Sequence, residues 1–282
     1  MDITAQGDDL IWRASEIDTA TKCMRKLGYA RLGAEASTVQ ETVPVVPQYS
    51  WALIAGCAMD DALCGVSKAQ MEGRNPRTFN AEDFYDQRLT YHHREFSAKG
   101  VVTGTTEDRE LALTDGHTLL DTYIREYGDT FHPVGVQTQA AINIPWGDQQ
   151  ITLVGHIDLK RQAEDGHVII SDWKFGKMKY DAPSYARGWA YDLMDGDESH
   201  HIEVITLRRG LKTPVINSSS HFVTKAQHKQ VVRQVRTVAD MYAKRYFPMT
   251  DPGNWWCDER FCEAWTLCRG NPNGPAKIPG EI

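Results

Sequence analysis

The middle of the chain changes period, and that change limits the folds open to it. Val134 to Ile144, Gln150 to Lys160 and His167 to Lys174 read as three successive strands. Pro-Trp-Gly-Asp (Pro145 to Asp148) and Glu-Asp-Gly (Glu164 to Gly166) separate them, and both are good turn material, so the three form a meander. A short helix from Pro183 to Met194 and a strand from Ile202 to Leu207 follow. Helices, a three-strand meander, a helix and a further strand imply an α+β or mixed α/β core, with helices flanking a central mixed sheet.

Elsewhere the spacing is helical. Leu10 to Arg31 reads as one helix, with Ser15 as N-cap and Ile17, Ala20, Met24 and Leu27 at helical intervals. A Pro-bearing loop spans Thr42 to Gln48. Tyr49 to about Met71 reads as a second helix and His117 to Tyr127 as a third. A long helix from Lys225 to Tyr246 carries an apolar stripe (Val231, Val235, Val238, Tyr242) and a basic one (Lys225, Lys229, Arg233, Arg236). The tail from Phe247 is rich in Pro, Gly, Trp and Cys. The expected organisation is one domain over 1–282: a helical region (1–130), a sheet core (131–223), and a helix with a Cys-rich tail (224–282).

With 31 basic and 38 acidic residues the formal charge is −7, which excludes a uniformly basic nucleic-acid coat but not a local basic groove. Arg208, Arg209 and Lys212, with the basic stripe that follows, are candidates for such a groove, although a solvated helix face gives the same pattern. No apolar run nears the roughly 20 residues that cross a bilayer, and the N-terminus lacks a secretory pattern, so the expected setting is cytoplasmic, with no membrane partner. Six Cys in a reducing compartment are poor disulfide candidates and better metal ligands or core residues.

Two constellations carry chemistry. Gly155-His156-Ile157-Asp158 lies on one expected strand and Asp172-Trp173-Lys174 on the next. Period-two geometry sends Asp172 and Lys174 to one face. Two carboxylates on neighbouring strands, with an ammonium nearby, suit a divalent cation with oxygen ligands, such as Mg²⁺, whose bound water can become a nucleophile. Lys174 then orients or deprotonates that water, or offsets developing negative charge. The second constellation is Cys257-X4-Cys262-X5-Cys268, with Cys23 far upstream as a possible fourth ligand. Thiolates in this number hold Zn²⁺ or an iron–sulfur cluster, and the tail is too hydrophilic to hide three thiols unaided. Cys57 and Cys64, seven apart on a helix, read as core residues, and His92/His93 and His200/His201 as surface or loop residues.

In order along the chain, these residues resemble the PD-(D/E)XK nucleases, specifically the RecB-like, AddB-like branch with an iron–sulfur cluster that includes phage exonucleases. Ser15 to Arg31 resembles the helix that donates the first cluster Cys, and Trp51 to Leu63 the helix carrying a Gly and, four residues on, a His. Gly155 to Asp158 resembles the Gly-X-X-Asp strand, Ile169 to Gly176 the Asp-X-Lys strand, Arg187 to Tyr191 the Gln-X-X-X-Tyr segment, and Phe247 to Cys268 the cluster-binding tail. The resemblance implies a restriction-endonuclease-like core. It makes Asp158 and Asp172 metal ligands helped by the Trp173 carbonyl, and Lys174 the catalytic lysine. Tyr191 and Arg187 would hold the strand, and Cys23, Cys257, Cys262 and Cys268 would ligate a mainly structural 4Fe–4S cluster.

The family His reads Asp60 here, whose carboxylate can still bind Mg²⁺ or Mn²⁺. The Gln reads Arg187; the Cys-X2-Cys opening of the tail reads Cys-X4-Cys, which keeps Zn²⁺ as an alternative; and Gln137 stands where the family often has an acidic residue. The implied activity is metal-dependent DNA exonuclease action in recombination, repair or replication, plausibly in a phage, with DNA ends as substrate and a recombination or replication protein as a further partner. A catalytically weakened DNA-binding module or adaptor with a structural metal is the alternative.

Overall fold

The computed structural model describes residues 10–34, 48–177, 179–181, 186–196, 201–254, 256–258, 262, 264–271 and 274–281. The chain divides into two compact units: 1–46, 141–155 and 226–282 form one, and 47–140 with 156–225 the other.

The larger unit holds a mixed sheet with helices packed on it. β5 (Gln149–Gln162) pairs antiparallel with β6 (Val168–Gly176), β6 parallel with β7 (His201–Arg208), and β7 antiparallel with β8 (Val215–Phe222). β6 and β7 are buried along most of their length, as expected of parallel strands covered on both faces. α3 (Trp51–Met71), α4 (Ala81–Lys99) and α5 (Thr106–Tyr127) supply the core against them: Ile54, Ala58 and Leu63; Tyr85 and Leu89; Leu119, Leu120 and Tyr123; and Trp173, Ile205 and Leu207 from the strands. α4 crosses α5 at Gly116, where a Cβ would run into the Tyr85 ring, and the Tyr85 hydroxyl donates to Ala112 O at 3.0 Å. Caps fix the helix starts: Ser50 Oγ accepts from Leu53 N, and Thr105 and Asp108 exchange two hydrogen bonds at the head of α5. Short β2 (Gln48–Ser50) and β3 (Val101–Thr103) pair in parallel, and α6 (Ala186–Asp195) packs on β6 and β7.

In the smaller unit β1 (Ile11–Arg13) pairs in parallel with residues 152–154 of β5. α7 (Lys225–Ala243) buries Val231, Val235, Val238 and Tyr242, the expected stripe, and Tyr242 meets the buried Trp12 edge-on at 5.1 Å. The tail is held to α2 (Met24–Leu32) by two side chains, and the Tyr29 hydroxyl donates to Ala276 O at 2.6 Å. Arg25 donates to Phe247 O and Ala276 O, both at 3.1 Å, and forks onto Glu281 at 2.6 and 2.9 Å. At Gly28 a Cβ would stand 2.5 Å from Ile278 Cδ1 and 2.8 Å from Phe247 Cδ1, so bare backbone is what lets the tail approach.

Several expectations change. The helix read over Leu10 to Arg31 is a strand and two helices: α1 (Ala14–Lys22) stops at Cys23, which is extended (φ −157°, ψ 106°). The break is stabilised from outside, because Arg25 N, an unpaired donor of the first turn of α2, bonds Pro248 O at 3.2 Å. Ser15 is not the cap: Arg13 is, and the Glu16 carboxylate takes its N–H at 2.7 Å. The third helix begins eleven residues earlier than read, at Thr106, and α4 and β8 are additional. α7 ends at Ala243, short of Tyr246. Of the helix read from Pro183, residues 183–185 lie outside the described residues, as does 42–47 of the loop. Among the described residues no helix is long and apolar enough to cross a membrane.

Candidate active site

β5 and β6 bring the acidic pair together. Their ladder runs from Gln162↔Val168 to Leu159↔Ser171, and one step further along this register Asp158 stands opposite Asp172. There the backbone pairing stops, and the Asp158 carboxylate accepts the Trp173 N–H at 3.1 Å. Lys174 lies on the same face of β6 as Asp172 and pairs its ammonium with Asp172 Oδ2, while its Nζ also donates to Trp173 O at 3.0 Å. The Trp173 indole points the other way, into the core against Tyr123 at 6.4 Å.

α3 adds Asp60. Its charge acts on Asp158, and Asp172 and Lys174 act on it in turn. Burial first, then the Asp61 and Asp172 charges, push the Asp60 carboxyl up to about 6, against Lys174 and His92. Burial and the Asp172 charge also hold Asp158 well above the usual carboxylate range. Gln137 lies beside this group and donates long bonds to Asp60 at 3.4 and 3.5 Å; it sits in left-handed backbone (φ 49°) within β4 (His132–Trp146), a conformation costly for a residue with a Cβ. Cys64 is buried, as expected, and burial with the Asp60 charge pushes its thiol up to about 12, so it stays protonated. On α6, Tyr191 and Arg187 are hydrogen-bonded to each other, and burial, then the Asp172 charge, raise the Tyr191 phenol above its ordinary value.

Asp61 was not among the residues singled out above. It accepts Arg88 Nε at 2.6 Å and lies 2.7 Å from His92 Nε2. His92 and His93 are therefore on helix α4, not in a loop, and His93 stacks on Trp51 at 4.8 Å. The spacing of Arg88 and His92, one helical turn apart, was the available signal. His201 opens β7, and His200 lies outside the described residues.

The donor set is hard oxygen: three carboxylates and a backbone carbonyl, with Asp60 and Asp158 raised by burial and by the charges of neighbouring carboxylates. That chemistry fits Mg²⁺ or Mn²⁺. Among the described residues no group of three or more His, Cys, Asp and Glu side chains stands ready to hold a metal ion, and the cation on Asp172 here is the Lys174 ammonium.

In the smaller unit Cys23, Cys257, Cys262 and Cys268 line one small cavity with Tyr29, Met249 and Trp265. The extended backbone at Cys23 puts its side chain on this wall. Arg269 Nε donates to Cys257 Sγ at 3.1 Å, and burial raises the Cys268 thiol. Four sulfurs with a hydrogen bond from a cation are a donor set that suits zinc or an iron–sulfur cluster.

The basic residues divide. Lys225, Lys229, Arg233 and Arg236 are exposed on α7, although Arg236 donates to Pro145 O at 2.8 Å. Arg209 is buried, its guanidinium 5.9 Å from the Phe175 ring centre, and so does not belong to a surface groove.

No family model matches the chain, and no curated protein matches it. Among solved structures, a candidate exonuclease from Eubacterium rectale is 13% identical with a TM-score of 0.46, over 91% of this chain and 92% of that one. The crystal structure of SSO0001 is 10% identical with a TM-score of 0.38, over 91% and 93%. Neither likeness is close enough to assign a function.

Proposed function

We propose that the protein is a divalent-metal-dependent deoxyribonuclease, an exonuclease of the RecB-like PD-(D/E)XK kind with a structural metal at its four cysteines. The observation that supports this reading is that Asp158 accepts the Trp173 N–H on the strand next to Asp172, that the Lys174 ammonium sits on Asp172, and that the Asp60 charge acts on Asp158. Oxygen ligands from these three carboxylates and the Trp173 carbonyl would hold Mg²⁺ or Mn²⁺, which supplies Lewis acidity and a water of lowered pKa. Lys174 is the chain's own contribution to charge balance. Its ammonium, now on Asp172, would neutralise charge that builds on a phosphate. Tyr191, kept protonated by burial and the Asp172 charge, donates a hydrogen bond to the strand, and Arg187 pairs with a phosphate oxygen. The substrate is DNA presented at an end, in recombination, repair or replication.

Incubating the protein with end-labelled single- and double-stranded DNA tests this. Stepwise loss from an end with Mg²⁺ or Mn²⁺, none with EDTA, and none for Asp172→Asn at unchanged cysteine-site metal content are expected. Cleavage that survives EDTA, or equal cleavage by Asp172→Asn, would overturn it.

A further inference from the structure

The Asp61 side chain begins a row of aromatic rings that the proposed chemistry does not use. Asp61 follows Asp60 on α3 and fixes two residues of α4, Arg88 and His92, at 2.6 and 2.7 Å. The Arg88 guanidinium lies 4.3 Å over the Tyr91 ring. From Tyr91 the rings continue to His92 at 5.2 Å, from His92 to Phe96 at 6.4 Å, and from Phe96 to Tyr49 of β2 at 4.6 Å. Arg88, His92 and Phe96 fall four apart, so one stripe of the helix carries them. Tyr91 is 47% exposed, the His92 side chain keeps 18% of its surface in its bond to Asp61, and Phe96 and Tyr49 are half-buried. The buried core contacts of α4 are made by Ala81, Tyr85 and Leu89, and Phe96 packs with one side against that core.

A single exposed ring on a helix needs no explanation, but four in contact do. Bases offer a π-face whatever their identity, and unpaired bases stack on rows of aromatic side chains with arginine beside them. A paired base is already stacked and cannot use such a row. We propose that Tyr91, His92, Phe96 and Tyr49, headed by Arg88, form a track for an unpaired DNA strand leading to the carboxylates, which makes single-stranded ends the substrate. Arg94, exposed on α4, adds a cation for the backbone, while Glu95 is paired with Lys99 at 3.5 Å. The track rests on the nuclease reading for its purpose but not for its test. A protein segment is the competing occupant; Arg88 and His92 are both bonded to Asp61, next to Asp60 on α3, and the Asp61 and His92 charges act on Asp60, which favours the nucleic acid.

The test is binding without turnover. Fluorescence anisotropy of a labelled single-stranded oligonucleotide and a blunt duplex is measured on full-length Lys174→Ala protein with Mg²⁺. Adding Tyr91→Ala should weaken single-strand binding roughly ten-fold, Tyr91→Phe should restore it, and duplex binding should not move. Tyr91 is exposed, so an unchanged melting midpoint separates loss of stacking from misfolding. Equal single-strand affinity with and without the ring would overturn the track, as would parallel loss on both substrates. Ring-dependent binding by a wild-type protein that cleaves nothing would keep the track and remove the nuclease reading.

Discussion

The carboxylate of Asp158 takes the Trp173 N–H at 3.1 Å at the point where the β5–β6 ladder stops. This one bond fixes Asp158 beside Asp172 while leaving its other oxygen uncommitted to the backbone, and it holds the Trp173 carbonyl, which Lys174 already contacts at 3.0 Å, on the side of the acidic group.

In the proposed metal site Asp60 would supply a carboxylate oxygen where an imidazole nitrogen is the alternative ligand. Asp60→His should therefore keep activity better with Mn²⁺ than with Mg²⁺, because nitrogen suits the softer ion. The ratio of initial rates in the two metals, compared with wild type, reads this directly; an unchanged ratio would mean that Asp60 does not contact the ion.

Arg25 joins α2 to two tail carbonyls and to Glu281, whose side chains are 11% and 16% exposed respectively. Arg25→Ala takes the cation from Glu281 and a donor from Phe247 O, while Ala276 O keeps the Tyr29 hydroxyl, and should cost about 3 kcal/mol. Chemical denaturation monitored by Trp fluorescence measures it. A loss below about 0.5 kcal/mol, the scale of an ordinary surface change, would show that the tail is held by other contacts.

Cys23 shares a cavity with the three tail cysteines. Cys23→Ser should lower bound metal to well below the wild-type stoichiometry. Anaerobic wild-type protein should be brown and absorb at roughly 400 nm. Colourless protein with stoichiometric zinc would replace iron by zinc and leave the carboxylate site untouched.

His201 has its pKa lowered, first by burial and then by the His167 charge, with Glu203 opposing. Its ring bonds His167 at 3.1 Å and stacks on Phe222 at 4.4 Å. The folded state thus prefers the neutral ring. The contribution to stability is present above the unfolded value near 6.5 and is lost as pH falls from there through the lower folded value. Denaturation midpoints from pH 8 to 5 should fall more steeply for wild type than for His201→Gln; parallel curves would contradict the assignment.

The central strands β4 to β7 were legible because their signals are local, while the edge strands β1 and β8 were not. Tight turns at Pro145 to Asp148 and Glu164 to Gly166, with runs of β-formers between, placed three strands to within about two residues at each end, and the Asp158/Asp172 pairing followed from the hairpin. What escaped depends on distant partners. α4 buries little besides Ala81, Tyr85 and Leu89, so its helical period is faint, although Asn80 and Asp83 mark its start. The break at Cys23 is stabilised by Pro248 O, more than two hundred residues away, and no helix propensity reports that. Arg209 is likewise buried, with its guanidinium 5.9 Å from the Phe175 ring of β6, which its position in a basic run does not reveal.

Lys174→Ala tests the central claim most directly. Removing the ammonium leaves the three carboxylates in place, so the variant should retain its fold and the metal content of its cysteine site, and lose cleavage of end-labelled DNA by two or more orders of magnitude, the scale of a lost charge-stabilising donor. Cleavage at the wild-type rate would show that Lys174 does not act on the phosphate and that this carboxylate group is not the catalytic centre.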